Sequence, residues 1–303
     1  MQTTLRARSR CIEELVARQL PDGGWAYTAR SAQAAVEPTA LALLALPPDS
    51  AQQRGDAIRS LLGIQNPNGS WGAFAGDDQN GSGFTGLALY AFHRCGVVGP
   101  EMDRAFLWLL RWQGRESDWL WKWKFRILDR QVRFDPGKFG WPWTPETVSW
   151  VFPTSYSLLA LKSGDHPSRQ TRFRIRRGVE MLYDRICPGG GWNAGNGIVY
   201  GSPLVPHPDA TAIALLALQG ETANKLVLTS LGWLERRAET CFAPWSLSWA
   251  ILALNAYQRP VRRLIERLGG LAEAAGIDDC ATLAVATMAL ACADGPNPFE
   301  AHP

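Results

Sequence analysis

This sequence predicts an all-α fold, an (α/α)6 toroid in which six helix pairs close into a ring. Three observations predict it. One apolar block recurs six times, an amphipathic segment precedes each copy, and a Gly-x-Trp turn follows several of those segments.

The blocks are TALALLAL at 39–46, TGLALYAF at 85–92, TSYSLLAL at 154–161, TAIALLAL at 211–218, LSWAILAL at 247–254 and LAVATMAL at 283–290. Each is apolar or small all the way round, and a helix with no polar face is buried on every side. The segments ahead of them (IEELVARQ, AIRSLLGIQ, AFLWLLRWQ, GVEMLYDRI, LTSLGWLERR, RRLIERLGGLAEA) are amphipathic at helical spacing. Each is expected to face solvent on one side and the block after it on the other. The shortest step between blocks is 36 residues, which fits two helices of about 12 residues and two short connections. A closed ring needs no capping repeats, whereas an open superhelix, the alternative arrangement, does. The inner helices are expected to begin near Thr39, Thr85, Thr154, Thr211, Leu247 and Leu283.

Gln19–Trp25 and Gln65–Trp71 share the form Q-x3-G-x-W. Gly190-Gly191-Trp192 keeps its second half and Gln113 only its start. Pro and Gly end the helix there, the Gln amide bonds freed backbone groups, and the indole covers the turn. These turns are read as structural staples without chemistry.

Composition narrows the function. The 303 residues carry a formal net charge of +3 and are 46% apolar, so a sizeable core is available and no general case for nucleic acid exists. The six cysteines are scattered, which suits reduced thiols in a cytoplasmic protein. Neither a signal core nor a spanning run is evident. The chain is read as one domain, 1–303, with an aromatic and basic insertion at about 114–150. From Arg115 to Lys138 that insertion holds seven basic and four acidic residues, interleaved with Trp119, Trp121, Trp123 and Phe125. A lid over the cavity, a patch on anionic lipid and plain packing on the ring all remain open for it.

Q-x3-G-x-W turns followed by TALALLAL-type helices resemble the repeats of squalene–hopene cyclases, oxidosqualene cyclases and protein prenyltransferase β subunits. The resemblance runs from about Gln19 to Leu290. It implies a ring around a greasy cavity for isoprenoid chains, on a scaffold that hosts different chemistries.

In such a ring the starts of the inner helices line one mouth. The position two residues before each block holds Glu37, Gly83, Phe152, Asp209, Trp245 and Ala281. Class II terpene cyclases carry D-x-D-D-T-A at the head of an inner helix. Asp209-Ala210-Thr211-Ala212 matches its register, with Asp209 in the proton donor's place, His207 in place of the first Asp and Ala210 in place of the last. His207 would serve as a hydrogen-bonding neighbour, although i to i+2 is a poor spacing on a helix. An N-cap role for Asp209 stands beside the donor role. Glu37 heads EPTALALLAL in the same way, as a cap or as a second acid. Trp141, Trp143, Trp150, Phe152 and Trp245 are candidates for the cavity wall, where aromatic faces stabilise cations.

Two further clusters are candidates for metal. Asp77-Asp78 lies among glycines and reads as a solvated turn. Asp278 and Cys280 match the D-x-C of zinc prenyltransferases, but the only later histidine is His302 and the ligand set is incomplete. No metal and no cofactor are expected.

The reading is an enzyme, a class II-like terpene cyclase that cyclises a linear isoprenoid by protonation. A non-catalytic isoprenoid-binding scaffold is the alternative, and a zinc-dependent prenyltransferase subunit comes third. Expected partners are a linear isoprenoid or another apolar small molecule, and no nucleic acid. Contact with a membrane surface, as a peripheral protein, and a second protein closing the cavity are left open.

Overall fold

The computed structural model describes residues 2–127 and 134–301. Part of the 114–150 insertion (128–133) and His302 lie outside the described residues. Thirteen α-helices are described: α1 (Gln2–Ala17), α2 (Val36–Ala45), α3 (Ala51–Gly63), α4 (Phe84–Arg94), α5 (Pro100–Arg111), α6 (Trp119–Ile127), α7 (Val151–Ser163), α8 (Arg169–Asp184), α9 (Pro208–Ala217), α10 (Lys225–Ala238), α11 (Pro244–Ala256), α12 (Arg262–Ala275) and α13 (Cys280–Ala291). The one described sheet is a two-stranded hairpin, Ile198–Val199 with Ser202–Pro203.

The ring is closed. Helices α2, α4, α7, α9, α11 and α13 each pack on the next, and α13 packs on α2. These are the six apolar blocks, and they are buried on all sides. The amphipathic helices stand outside. Each packs on the block before it (α3 on α2, α5 on α4, α8 on α7, α10 on α9 and α12 on α11), and α5, α10 and α12 also touch the block after them, α7, α11 and α13. The cause is connection length. Residues 46–50, 95–99 and 164–168 are tight links, and short links make antiparallel neighbours. Helix α1 has no block before it, so it packs on α12 and α13 and completes the ring. Arg18 seals this seam by donating to the carbonyls of Ile277 and Asp278, both at 2.9 Å.

Five inner helices begin three residues earlier than expected, and α4 begins one earlier. Prolines explain much of the shift. Pro208 and Pro244 open α9 and α11, and Pro38 and Pro153 sit in the first turns of α2 and α7. Proline is tolerated there because its missing N–H would have no helical partner. The shift moves Glu37 and Asp209 from cap positions into the first turn.

Four turns repeat one geometry. The indole N–H groups of Trp25, Trp71, Trp141 and Trp192 donate to the carbonyls of Leu15, Leu61, Leu109 and Leu182, near the ends of α1, α3, α5 and α8. Their backbone N–H groups donate to the hydroxyls of Thr39, Thr85, Thr154 and Thr211 at 2.9–3.0 Å. This is why four blocks begin with Thr and the other two, which lack the Trp turn, begin with Leu. Gln19 and Gln65 each bond the turn glycine's carbonyl and a carbonyl of the next outer helix, all at 2.9 Å. Gly23 and Gly69 have φ of +86° and +92°, and a Cβ at either would strike the backbone of that helix. Trp141 completes the third turn across the insertion. It is fully buried behind the ring, so the expectation that it lines the cavity is corrected.

The insertion is tied down by charge. Glu116, fully buried, accepts the Ser149 N–H at 3.1 Å and faces buried Arg185 at 3.7 Å. Helix α6 turns Trp119, Leu120 and Trp123 outward. No described helix is long and apolar enough to cross a membrane.

Candidate functional site

All connections from outer to inner helices arrive at one end of the ring. There the first turns of the inner helices surround the mouth. Glu37, Phe152, Asp209 and Trp245 each keep part of their surface free, whereas Gly83 and Ala281 are buried. In ring order α2 and α9 are opposite, so Glu37 and Asp209 stand on opposite sides of the mouth.

Glu37 accepts the Tyr27 O–H at 2.8 Å on Oε2. Burial pushes its carboxyl up to about 7, the Tyr27 hydrogen bond opposes the shift, and the charge of nearby Asp279 adds to it. A carboxyl there carries its proton for much of the time at neutral pH. Burial, the Glu37 charge and the hydrogen bond to Glu37 raise Tyr27 well above the usual phenol range, so Tyr27 remains a donor. Asp209 accepts the Trp245 indole N–H at 3.1 Å on Oδ2. It neither caps its helix nor bonds His207. His207 is the N-cap residue of α9, makes no side-chain cap bond and is exposed. This corrects the expectation of a His207 partner; the i to i+2 spacing keeps the two side chains on different faces.

One helical turn deeper, about 6 Å, the inner ring presents Leu41, Leu87, Tyr156, Ile213, Trp249 and Val285, all fully buried. Two aromatic columns reach this layer. Phe84, Trp143, Phe152 and Tyr156 follow one another with centroids 5.1, 6.4 and 6.1 Å apart. Trp245 and Trp249 meet edge to face at 5.7 Å. Burial, followed by the charges of Glu37, Tyr27 and Asp209, raises the Tyr156 phenol well above its ordinary range. Trp143, Phe152 and Trp245 thus gather at the mouth, while Trp150 immediately precedes α7 and lies against the Gly195 loop.

Tyr27, Tyr156 and Trp249 were missed in the sequence. The signal for two of them was present: Tyr156 and Trp249 stand four residues after Phe152 and Trp245, on the same helix face.

The metal candidates serve other ends. Asp279 caps α13 by accepting the Thr282 N–H at 2.6 Å, and Cys280 is buried with its thiol pushed up by burial. Asp77 and Asp78 accept backbone N–H groups within their own turn. Among the described residues no three His, Cys, Asp or Glu side chains converge as a metal-holding group.

No known protein family matches this sequence, and no curated protein does. Solved structures do match. A protein from Actinoplanes aligns with a TM-score of 0.60 at 17% identity, covering 96% of this chain and 99% of that one. A type II terpene cyclase from Scytonema, MstE, in complex with merosterolic acid A, aligns with a TM-score of 0.60 at 15% identity, covering 97% and 99%. A cellobiose 2-epimerase from Spirochaeta thermophila aligns with a TM-score of 0.54 at 14% identity, covering 90% and 85%. The chain has the α/α-toroid fold. At these identities the likeness extends to the fold and no further.

Proposed function

We propose that the protein is a class II-like terpene cyclase that protonates and cyclises a linear isoprenoid. One observation carries the reading: a half-buried carboxyl, Glu37, stands at the mouth of an aromatic-lined ring with a phenol donating to it. An acid that protonates an alkene must be neutral beforehand and stabilised as it ionises. Burial supplies the first condition and the Tyr27 O–H the second. Glu37 therefore takes the donor role expected of Asp209. Asp209, held by Trp245 across the mouth, becomes the opposing carboxylate near the developing cation. Trp143, Phe152 and Trp245 supply ring faces, each contributing about 0.5–2 kcal/mol to a cation depending on desolvation. MstE has also been solved in complex with geranylgeranyl dihydroxybenzoate, and a polyprenyl substrate of that kind suits this wall.

Exposed apolar side chains concentrate on the connections that arrive at the mouth. Trp119, Leu120, Trp123, Tyr200, Leu204, Val205 and Phe242 all lie on connections that arrive there, against Val98 alone on the opposite connections among the described residues. Within this reading the rim rests on a lipid surface and takes substrate from it.

The test is turnover of linear prenyl substrates by wild type, Glu37→Gln and Asp209→Asn. Loss in Glu37→Gln with activity kept in Asp209→Asn supports the assignment. The reverse pattern returns the acid to Asp209. Binding without turnover in the wild type favours the non-catalytic scaffold, a reading that the departures from D-x-D-D at His207 and Ala210 also favour.

A further inference from the structure

The segment Asn297–Ala301 crosses beneath the ring at the end opposite the mouth. Its anchors come from three sides. Asn297 donates to the Leu252 carbonyl at 2.8 Å and to Asn255 at 3.1 Å on α11. Tyr90 of α4 donates its O–H to the Pro298 carbonyl at 2.7 Å. Gln219, just beyond α9, donates to the Phe299 carbonyl at 2.8 Å and accepts the Ala301 N–H at 2.9 Å. Helices α4 and α11 are opposite in the ring, so the segment crosses the ring axis.

It carries one large side chain inward. Phe299 is 1% exposed. It meets Trp249 edge to face at 5.1 Å and stacks on Tyr90 at 5.3 Å. A cavity of about 440 Å³, partly open to solvent, adjoins Phe299, with Tyr90, Leu159 and Leu216 as apolar lining and Arg94, Lys162 and Glu300 as charged lining. Trp249 belongs to the layer that floors the mouth. Its indole N–H is buried and makes no hydrogen bond. Packing therefore fixes this indole, with Trp245 above it and Phe299 below.

The geometry points to Phe299 as a specificity-determining residue that props Trp249 and so sets how long an apolar chain the ring accepts. The inference rests on the isoprenoid reading of the mouth. A prenyl chain entering there runs along the Trp245–Trp249 column and stops on the Trp249 indole. Phe299→Ala removes the prop, lets the untethered indole turn into the vacated space, and opens a way from the lumen to the cavity beneath. Interiors are close-packed, so a ring-sized vacancy is felt by its neighbours.

The experiment measures binding of geraniol, farnesol and geranylgeraniol to the full chain by calorimetry, with tryptophan fluorescence as a second readout. Binding does not require turnover. Phe299→Ala is expected to raise affinity for geranylgeraniol relative to geraniol by about tenfold or more, since even one methylene discriminates by about tenfold in an apolar pocket. Phe299→Leu, which keeps apolar cover, is expected to shift the ratio the same way by less. It also decides the matter if the alanine variant fails to fold by circular dichroism. An unchanged ratio in a folded variant overturns the inference and leaves the isoprenoid reading standing. If the wild type binds none of the three alcohols, the isoprenoid reading falls and the inference falls with it.

Discussion

Glu37→Gln makes the strongest demand on this account, because one half-buried group then governs stability as well as chemistry. The carboxyl has its ordinary pKa near 4.5 in the unfolded chain and about 7 in the ring. The folded state therefore binds more protons between those values, and stability falls as pH rises through that window. Below about pH 4.5 the group is neutral in both states and costs nothing. Above about pH 7 it is ionised in both, and the folded state bears the full desolvation cost. A rise of that size corresponds to about 3 kcal/mol, at 1.36 kcal/mol per pKa unit. Glutamine keeps an oxygen for the Tyr27 O–H and cannot ionise. Urea unfolding of wild type and variant from pH 4 to pH 8.5 measures the difference, and groups shared by both chains cancel in it. The expected result is near-equal stability at pH 4 and a variant more stable by about 3 kcal/mol at pH 8. Parallel curves across the range would refute the placement of Glu37 in a desolvated mouth.

Thr39→Val tests the staples: it leaves the buried Trp25 N–H without its acceptor, with an expected loss of about 1–3 kcal/mol in denaturant unfolding. Replacing Trp119 and Trp123 together by Ser should reduce co-sedimentation with vesicles of anionic lipid without changing the circular dichroism spectrum, because both indoles are exposed. Asp209→Asn should leave the fold intact, since Asn still accepts the Trp245 N–H, and the melting temperature should move little.

The ring was legible because its signal is repeated. Six blocks without a polar face cannot be anything but buried, and the two complete Q-x3-G-x-W turns named the staples. The third staple was hidden because residues 114–139 separate Gln113 from the Gly140-Trp141 pair that completes it, and Trp141 was therefore assigned to the cavity. The mouth was legible in register, since Glu37, Phe152, Asp209 and Trp245 do stand there. Their roles were less so. A motif match favoured Asp209, whereas the desolvation of Glu37 and its pairing with Tyr27 depend on side chains ten residues apart that only the folded loop brings together. Periodicity cannot show which outer helix packs on which block, nor that residues after α13 return beneath the ring, because both depend on chain paths between elements.

The central claim is proton-initiated cyclisation, and deuterated water tests it most directly. Wild-type protein is incubated with a linear polyprenyl substrate in deuterium oxide, and the product is analysed by mass spectrometry and deuterium NMR. The account predicts a cyclic product carrying a single solvent-derived deuterium at the initiating carbon, and no such product from Glu37→Gln. A cyclic product free of deuterium, or full activity in Glu37→Gln, would contradict it.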